Sequence, residues 1–345
     1  MIGKKIKFKL LKPLFYRKFK LKFFTNKPKI FLFGTIEHMN LGDEAISFSE
    51  TTFLRKNAPN FEVIEIPERL VEESLDVIDS HISNGDVVMF HGGGNMGDTW
   101  VGHEEQRRLV FERFISNKIV SFPQSINYND NSSNLVLMKN VLRKKRNITL
   151  IARDKYSFEQ MKKFFPDTDI KLTPDIVLSL DREKGKKRPS NKKITTFMRQ
   201  DVEKNAEVVD LYSSLLEQLE KLGYKINNSD TVQNYSEIIT IKNRGKILNK
   251  KWQEFRDSEF IITDRLHGMI FAYITNTPAL VFDNSNHKVS NLYKTWLSNS
   301  TNIFLVDNNN YNLTEVIKNI KKIDDSQLNS DLFKDIQLSI ENNKI

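Results

Sequence analysis

A unit of strand, helix and strand between residues 258 and 283 constrains the fold more than any other stretch of this sequence. The run Phe260–Ile262 has the β-branched and aromatic composition of a short buried strand. Asp264 then stands where a helix cap is expected, and apolar residues recur from Leu266 to Tyr273 at the spacing of a helix with one apolar face. The apolar run Ala279–Phe282 predicts the next strand. Two strands joined by one helix are typical of a parallel sheet, so this unit predicts an α/β fold.

The same alternation of apolar strands and helices runs through the rest of the chain and divides it in two. Residues 181–193 interrupt the pattern, because they are charged and contain Gly and Pro but no aliphatic or aromatic residue. We therefore predict two consecutive Rossmann-like parallel-sheet domains with a ligand site between them. The predicted parts are a basic segment at 1–28, an N-terminal Rossmann-like domain at 29–182, a C-terminal Rossmann-like domain at 192–310 and a C-terminal helical tail at 311–345.

The net charge of +9 is confined to the start of the chain. Residues 1–29 hold ten lysines, Arg17 and no acidic residue, whereas the remaining residues hold 42 basic and 44 acidic side chains. The globular part is therefore nearly neutral. Lysines alternate with Leu, Phe and Tyr in the segment 1–28, which predicts attachment to an anionic membrane surface. A nucleic-acid-binding arm and a solvated tail are the alternatives, and nucleic acid is not the expected partner.

The residue types that are missing exclude several classes of protein. The chain has no cysteine, which rules out disulfides, thiolate catalysis and thiolate metal sites. No apolar run approaches the roughly 20 residues of a membrane-spanning helix, and the first 28 residues contain no secretory apolar region. The histidine and acidic residues at 103–105 lack the spacing of metal ligands, so no metal is predicted. The predicted location is the cytoplasm, with peripheral attachment to the inner face of the membrane.

Arg265 and His267 are polar residues at the predicted start of a helix, directly after a strand. Free backbone N–H groups and the helix dipole make this place an anion site. An arginine adds a planar fork of donors for phosphate or carboxylate, and a histidine adds a group that exchanges protons near neutral pH. Arg153 occupies the same kind of position, so the two arginines could hold the two ends of a small dianion. An ion pair and a structural histidine are the alternative interpretation.

Three glycines and an asparagine follow another strand, at Gly92, Gly93, Gly94 and Asn95. Glycines leave backbone N–H groups exposed to an anion and let a ligand approach closely. We therefore predict that this run binds substrate, with a tight structural loop as the alternative.

Five further polar residues are predicted at the same edge of the sheets. Asn40 and Asp43 lie between the first strand and its helix, where a carboxylate could act as general base toward a sugar hydroxyl group or merely cap the helix. Asp175 lies in the middle of an extended run and is either a substrate-binding or a turn residue. His287 and Lys288 follow the strand that ends the first-described unit, so they are predicted to bind substrate.

Taken together, several segments resemble the polysaccharide pyruvyl transferase family. The ordered set is specific although no single motif is decisive. The matching segments are GTIEHMNLGDEAI at 34–46, FHGGGNMGDTW at 90–100, SFPQSINY at 121–128, ARDKYS at 152–157, TPDIV at 173–177, DRLHGMIFA at 264–272 and FDNSNHKVSNLYKTWL at 282–297.

The resemblance implies a GT-B-like pair of Rossmann-like domains facing a cleft. It implies transfer of pyruvate from phosphoenolpyruvate to a pair of sugar hydroxyl groups as a ketal, in the biosynthesis of surface polysaccharide or exopolysaccharide. Arg153, Arg265 and His267 match the positions that the family associates with donor binding. On this basis His267 is the expected acid and Asp43 the expected base. No cofactor is expected beyond the donor substrate, and the saccharide acceptor is expected on a lipid carrier.

Two other functions remain open from the sequence. One is a GT-B-like glycosyltransferase that uses a nucleotide sugar, and the other is a non-catalytic, membrane-bound component of a polysaccharide assembly complex. The presence of Arg153, Arg265 and His267 argues against the non-catalytic protein. The second half also lacks the paired glutamates found in many retaining glycosyltransferases, which argues against that subclass.

Overall fold

The computed structural model describes residues 26–144, 147–180, 189–199, 208–232, 239–306, 317 and 328–341. Nearly all of the basic segment 1–28, as well as much of the predicted tail, lies outside these residues. Among the helices that are described, none is both long enough and apolar enough to cross a bilayer.

Eight described strands form the first sheet, and all of their pairings are parallel. Its strand order is β2-β1-β3-β5-β7-β6-β4, with β8 also paired to β7. The strands are β1 Lys29–Thr35, β2 Glu62–Pro67, β3 Val87–Phe90, β4 Gly93–Gly97, β5 Lys118–Ser121, β6 Gln124–Asn127, β7 Ile148–Ala152 and β8 Asp169–Leu172. The helices of this half are α1 Leu41–Asn57, α2 Val71–Asp79, α3 Val101–Arg113, α4 Ser133–Arg143 and α5 Lys155–Phe164, with 3₁₀ turns at Glu68–Leu70 and Ile176–Ser179.

Five described strands form the second sheet, which is also parallel, in the order β10-β9-β11-β12-β13. The strands are β9 Lys193–Phe197, β10 Lys225–Asn228, β11 Phe260–Thr263, β12 Ala279–Phe282 and β13 Ile303–Val306. The helices are α6 Val208–Lys221, α7 Arg244–Arg256, α8 Leu266–Ile274, α9 Lys288–Leu292 with a π-helical turn at Tyr293–Leu297, and α10 Lys334–Glu341 after a 3₁₀ turn at Ser330–Phe333. The predicted fold class, α/β with two Rossmann-like parallel sheets, is confirmed.

One continuous apolar core joins the two sheets. It contains Leu32 of the first sheet and Ile261 of the second, with Trp252 of α7 and Met269 of α8 between them. The outer face of each sheet is covered by a separate apolar cluster. Because burial of apolar surface is the main favourable term in folding, this shared layer holds the carboxyl edges of both sheets at one site.

The described end of the chain returns to the first half. Phe333 and Ile336 of the last helical segment are buried in the shared core, and the Phe333 ring lies 6.3 Å from the ring of Phe53 in α1. The described part of the predicted C-terminal helical tail at 311–345 therefore supplies core side chains.

Two local predictions differ from the structure. The glycine run is not a loop, because Gly93 begins strand β4 and pairs with Gln124 of β6, a strand that apolar patterning did not predict. Asp264 is not the helix cap: Arg265 holds the extended cap position, and the Asp264 carboxylate accepts a hydrogen bond from the Arg199 amide at 2.8 Å.

The extended run predicted at 170–180 is also interrupted. Strand β8 ends at Leu172, and the Asp175 side chain accepts a hydrogen bond from the Val177 amide at 3.0 Å. This side-chain cap opens the 3₁₀ turn and fixes the direction of the Asp175 carboxylate.

Candidate active site

His267 of the second half lies against Gly42 of the first half. A Cβ atom on Gly42 would be 2.3 Å from Nδ1 of His267, far inside van der Waals contact. Gly42 belongs to the first turn of α1 and His267 to the first turn of α8. Two helix starts that are more than 200 residues apart in the sequence are thus brought into contact, and glycine is required there to admit the imidazole ring.

The His267 imidazole is buried beside a carboxylate. Its Nε2 atom lies 3.8 Å from Oδ2 of Asp175 and has no hydrogen-bond partner among the described residues. Burial lowers the pKa of His267; Asp175 raises it and Arg153 lowers it, and the result is a pKa below the ordinary 6.5. The imidazole is therefore mostly neutral near pH 7.

Arg153 is held in place by two protein groups. Its Nη1 atom pairs with Oδ2 of Asp175 at 2.8 Å, and its Nε atom donates to Oγ of Ser125, also at 2.8 Å. The Arg153 side chain is 2% exposed, so the pairing with Asp175 is almost fully buried. Asp175 thus pairs with Arg153 and lies beside His267, so it links the two predicted donor-binding residues.

A second cation converges with Arg153 on Gly94. The position of a Cβ atom on Gly94 would be 3.0 Å from Nη2 of Arg153 and 3.4 Å from Nζ of Lys288. We call the space between Arg153, Lys288 and Gly94 the anion cradle. Two positive charges around a residue without a side chain form a site that favours a small anion.

The backbone amides of Gly92 and Gly93 were expected to bind an anion, but both are hydrogen-bonded within the protein. The Gly92 amide donates to Oε1 of Glu50 at 2.7 Å, and the Gly93 amide donates to the carbonyl oxygen of Pro123 at 2.9 Å. Both N–H groups are already used within the protein. Of the three glycines, only Gly94 lies beside the cations, and its contribution is the space it leaves.

Asn95 contacts a buried arginine of α3. Its side-chain oxygen accepts from Nη2 of Arg107 at 2.5 Å, and Arg107 also pairs with Glu104. Tyr128 donates to the other oxygen of Glu104 at 2.5 Å. This network orients Asn95 at the edge of the sheet, and it engages the side-chain oxygen of this predicted substrate-binding residue.

Arg265 is paired with a carboxylate that the sequence analysis did not single out. Its Nε and Nη2 atoms lie 2.8 Å from Oδ1 and Oδ2 of Asp230, respectively. The same short segment reaches the first half, because the carbonyl oxygen of Thr231 accepts from the Leu41 amide at 2.9 Å. The structure therefore places Arg265 near the site in a two-point ion pair, which differs from the expected open fork.

Asn40, and not Asp43, caps helix α1. The Asn40 side-chain oxygen accepts from the Gly42 amide at 3.0 Å, while its amide nitrogen donates to Oδ2 of Asp43 at 2.7 Å. Nε2 of His38 lies 3.8 Å from the same carboxylate oxygen. Asp43 is about one-third exposed and its charge acts on His267, so it faces the site as a carboxylate that is not required for capping.

His287 and Lys288 line a cleft of about 620 Å³ beside the anion cradle. His287 has a left-handed backbone conformation at the start of α9, and its Nδ1 atom lies 2.7 Å from Oδ2 of Asp283. Its side chain is largely exposed, whereas Lys288 extends to Gly94. These two neighbours in sequence therefore occupy different places. Lys288 belongs to the anion cradle, whereas His287 lies at the exposed edge of the cleft.

A buried ion network connects the two halves close to the site. Arg244 of α7 pairs with Glu44 at 2.6 Å and with Glu65 at 3.0 Å, and it donates to the carbonyl oxygen of Ile36 at 2.8 Å. Burial raises the pKa of Glu44 to about 7, although Arg244 lowers it. Glu44 follows Asp43 in α1, so the network anchors the helix start that carries the predicted base.

Behind the glycine run lies a second buried pair. Nδ1 of His91 is 2.8 Å from Oε2 of Glu50. Burial alone would lower the pKa of His91, but the Glu50 carboxylate raises it above 6.5, and burial raises the pKa of Glu50. The pair supports Gly92 from within the core, as expected for a structural histidine.

Ser125, Asp230 and Arg244 are the residues near the site that sequence reasoning missed. Ser125 lies in the matched segment 121–128, so its position could have been found, but a lone serine carries no spacing signal. Asp230 and Arg244 act through ion pairs between distant segments, which no local pattern reveals. The described residues contain no group of three or more histidine or acidic side chains arranged to hold a metal ion.

Comparisons with known proteins give a consistent result. A family model described as polysaccharide pyruvyl transferase matches residues 40–286. General stress protein 30 of Bacillus subtilis (strain 168) is 33% identical over 316 residues, which cover 90% of each chain. Pyruvyl transferase 1 of Schizosaccharomyces pombe is 31% identical over 296 residues, which cover 81% of this chain and 72% of that protein. A functionally uncharacterised protein of Klebsiella pneumoniae superposes with a TM-score of 0.52 at 18% identity, over 86% of this chain and 98% of that one, and so shares the fold.

Proposed function

Because the chain belongs to the polysaccharide pyruvyl transferase family, we propose that it transfers a pyruvyl group from phosphoenolpyruvate to a pair of hydroxyl groups on a saccharide, as a cyclic ketal. The observation that carries the proposal is the convergence of Arg153 and Lys288 on Gly94, next to Asp175 and His267. A phosphate and a carboxylate on a small molecule need such paired cations, and ketal formation needs a proton donor beside them.

The anion cradle would hold the donor through its phosphate group. The Arg153 guanidinium presents Nη2 toward the cradle while Asp175 and Ser125 hold Nη1 and Nε, so its orientation is set before the donor arrives. Preorganised cations stabilise charge that develops on the departing phosphate without rearranging at the moment of reaction. Arg265, oriented by Asp230, is the proposed contact for the donor carboxylate.

The proposed reaction balances with one acid and one base. A proton from the acid adds to the methylene carbon of phosphoenolpyruvate and leaves a cationic C2. One sugar hydroxyl attacks C2, the C2–O bond to phosphate breaks, and the second hydroxyl then attacks C2 to close the ketal. Of the two hydroxyl protons, one restores the acid and the other leaves with phosphate.

His267 is the proposed acid and Asp43 the proposed base. In the free protein burial keeps the pKa of His267 low, so the acid role requires the bound donor. A phosphate and a carboxylate placed beside the imidazole would favour its charged form and raise its pKa. Asp43 lies on the Gly42 side of the imidazole, where its partially exposed carboxylate can meet a hydroxyl group.

The proposed setting is the cytoplasmic side of a membrane where saccharides are assembled on lipid carriers. The basic and aromatic segment 1–28 would bring the enzyme to anionic lipids, since each lysine or arginine near such a surface contributes about 1 kcal/mol. Attachment would raise the local concentration of a lipid-linked acceptor.

The direct test is incubation of the full-length protein with phosphoenolpyruvate and a lipid-linked oligosaccharide. Release of inorganic phosphate should accompany a mass gain of the acceptor that corresponds to one pyruvyl ketal. Arg153→Lys should lose the activity, whereas the exposed residue Arg143 provides the matched control Arg143→Lys. Transfer from a nucleotide sugar with no phosphate release from phosphoenolpyruvate would contradict the proposal and favour a glycosyltransferase.

A further inference from the structure

The cleft beside the anion cradle is formed by both halves of the protein. Its first wall comes from the end of β6 and the start of α5, including Asn127 and Tyr156. Its second wall comes from the turn after β12 and from α9, including Asn286 and Asn291. A volume of about 620 Å³ lies within the range of about 300–1,000 Å³ that takes drug-sized ligands, so the cleft has room for a disaccharide.

The cleft and the anion cradle have residues in common. Ser125 lines the cleft, and its hydroxyl oxygen is the atom that accepts from Nε of Arg153. Lys288 also lines the cleft, and its ammonium group is one of the two cations beside Gly94. A ligand in the cleft would therefore lie next to two residues that belong to or support the anion cradle.

The lining suits a sugar ring. Tyr156 is 55% exposed, so an aromatic surface stands at the mouth, and the amides of Asn127, Asn286 and Asn291 supply both donors and acceptors. Among the cleft carboxylates, Asp154 accepts from Ser125 and from the Ser157 amide, both at 2.7 Å. The other cleft carboxylate, Asp283, is engaged by His287 at 2.7 Å and by the Ser290 amide at 3.0 Å. Both carboxylates are therefore held by the protein, and the asparagine amides of the lining can meet the hydroxyl groups of a saccharide.

We propose that this cleft binds the saccharide acceptor, with a sugar ring packed against Tyr156 and the reacting hydroxyl groups directed past Lys288 into the anion cradle. The inference rests on the proposed function, because it names the acceptor site of the same reaction. Asn291 and Tyr156 both line this cleft, one from each half of the protein.

The test uses the full-length protein and a mixture of lactose, maltose, cellobiose and diacetylchitobiose. Saturation-transfer NMR in the presence of phosphoenolpyruvate should reveal binding of at least one disaccharide. Asn291→Trp, which fills the cleft, should abolish that signal, and Tyr156→Ala should weaken binding by up to about tenfold. The matched control is Leu137→Ala, at an exposed apolar residue of α4 outside the cleft. Calorimetry should show unchanged affinity for phosphoenolpyruvate in all three variants.

Several outcomes would overturn the inference. These are binding of none of the four disaccharides, unchanged binding in both cleft variants, or displacement of the saccharide by uridine diphosphate. Phosphate release from phosphoenolpyruvate separates this inference from the proposed function. If saccharides bind in the cleft but phosphoenolpyruvate releases no phosphate with any acceptor, the proposed function is wrong and the proposed acceptor site stands. If phosphate is released and the acceptor KM is unchanged in both cleft variants, the acceptor site is wrong and the proposed function stands.

Discussion

Gly42 and His267 are in direct contact, and the contact leaves no room for a side chain on Gly42. Gly42 follows strand β1 of the first sheet, and His267 follows strand β11 of the second sheet. The site therefore exists only when the two halves are docked, because the imidazole is positioned by the backbone of a helix in the other half.

Gly42→Ala should displace the His267 ring and lower turnover sharply. A methyl group at 2.3 Å from Nδ1 forces the imidazole or helix α1 to move, and a misplacement of about 1 Å can cost about 100-fold in rate. The measurement is kcat for phosphate release. Gly102→Ala is the matched control, since a Cβ atom there meets nothing within 4 Å, and it should leave turnover unchanged. Equal turnover in both variants would contradict the assigned contact.

Arg265→Lys should weaken donor binding. The lysine ammonium cannot keep the two-point geometry with Asp230 that orients Arg265 for the proposed contact with the donor carboxylate. The expected loss is on the order of 2 kcal/mol in the binding free energy of phosphoenolpyruvate. Calorimetry on folded protein measures it, with Arg143→Lys, at an exposed arginine of α4, as control. Unchanged affinity would remove Arg265 from the donor site.

His267→Gln should reduce turnover by about 10²–10⁴-fold and affect donor affinity less. The substitution should also reduce the number of protons taken up when phosphoenolpyruvate binds. The pKa of His267 lies below 6.5 in the free protein, and a bound dianion raises it, so the wild-type protein should take up protons when phosphoenolpyruvate binds at about pH 6–7. Binding enthalpies in two buffers of different ionisation enthalpy report the uptake. The same uptake in His267→Gln would show that another group titrates.

Glu44→Gln should change how stability depends on pH. The pKa of Glu44 is about 7 in the folded protein and about 4.5 when unfolded, so the folded state holds more protons between these values. The contribution of Glu44 to the free energy of unfolding is therefore fully present below about pH 4.5 and is lost as pH rises through 7, by about 3 kcal/mol. Denaturant unfolding at several pH values compares the two proteins. Because His91 and His267 titrate in both, their difference isolates Glu44, and parallel curves would contradict this prediction.

Deletion of residues 1–28 should leave catalysis on a soluble acceptor intact and abolish membrane attachment. The segment precedes β1, so no described core residue is removed. The full-length protein should sediment with anionic vesicles at low salt and be released at high salt, because screening weakens exposed charges. Equal vesicle binding by both forms would refute the attachment, and salt-sensitive binding to nucleic acid alone would favour the other interpretation of the segment.

Local periodicity predicted most of the fold because each strand and helix carries its own apolar pattern. The strand Ala279–Phe282 and the helix that begins at Leu266 illustrate this. Strand β4 escaped prediction, since Gly93–Gly97 has almost no apolar side chain and is held by pairing with β6. Arg153, Lys288 and His267 were predicted individually, but their grouping depends on docking of the halves. The ion pair of Arg265 with Asp230 depends on contacts between segments 35 residues apart, which no sequence spacing indicates.

The return of α10 to the first half has a consequence for synthesis on the ribosome. Phe53 emerges early, but Phe333, which packs against it, is translated about 280 residues later. An emerging first half therefore exposes that part of its apolar surface until translation is almost complete. The nascent chain should depend on chaperone protection over this interval, and nonsense truncations before Phe333 should aggregate although they retain every residue of the proposed site.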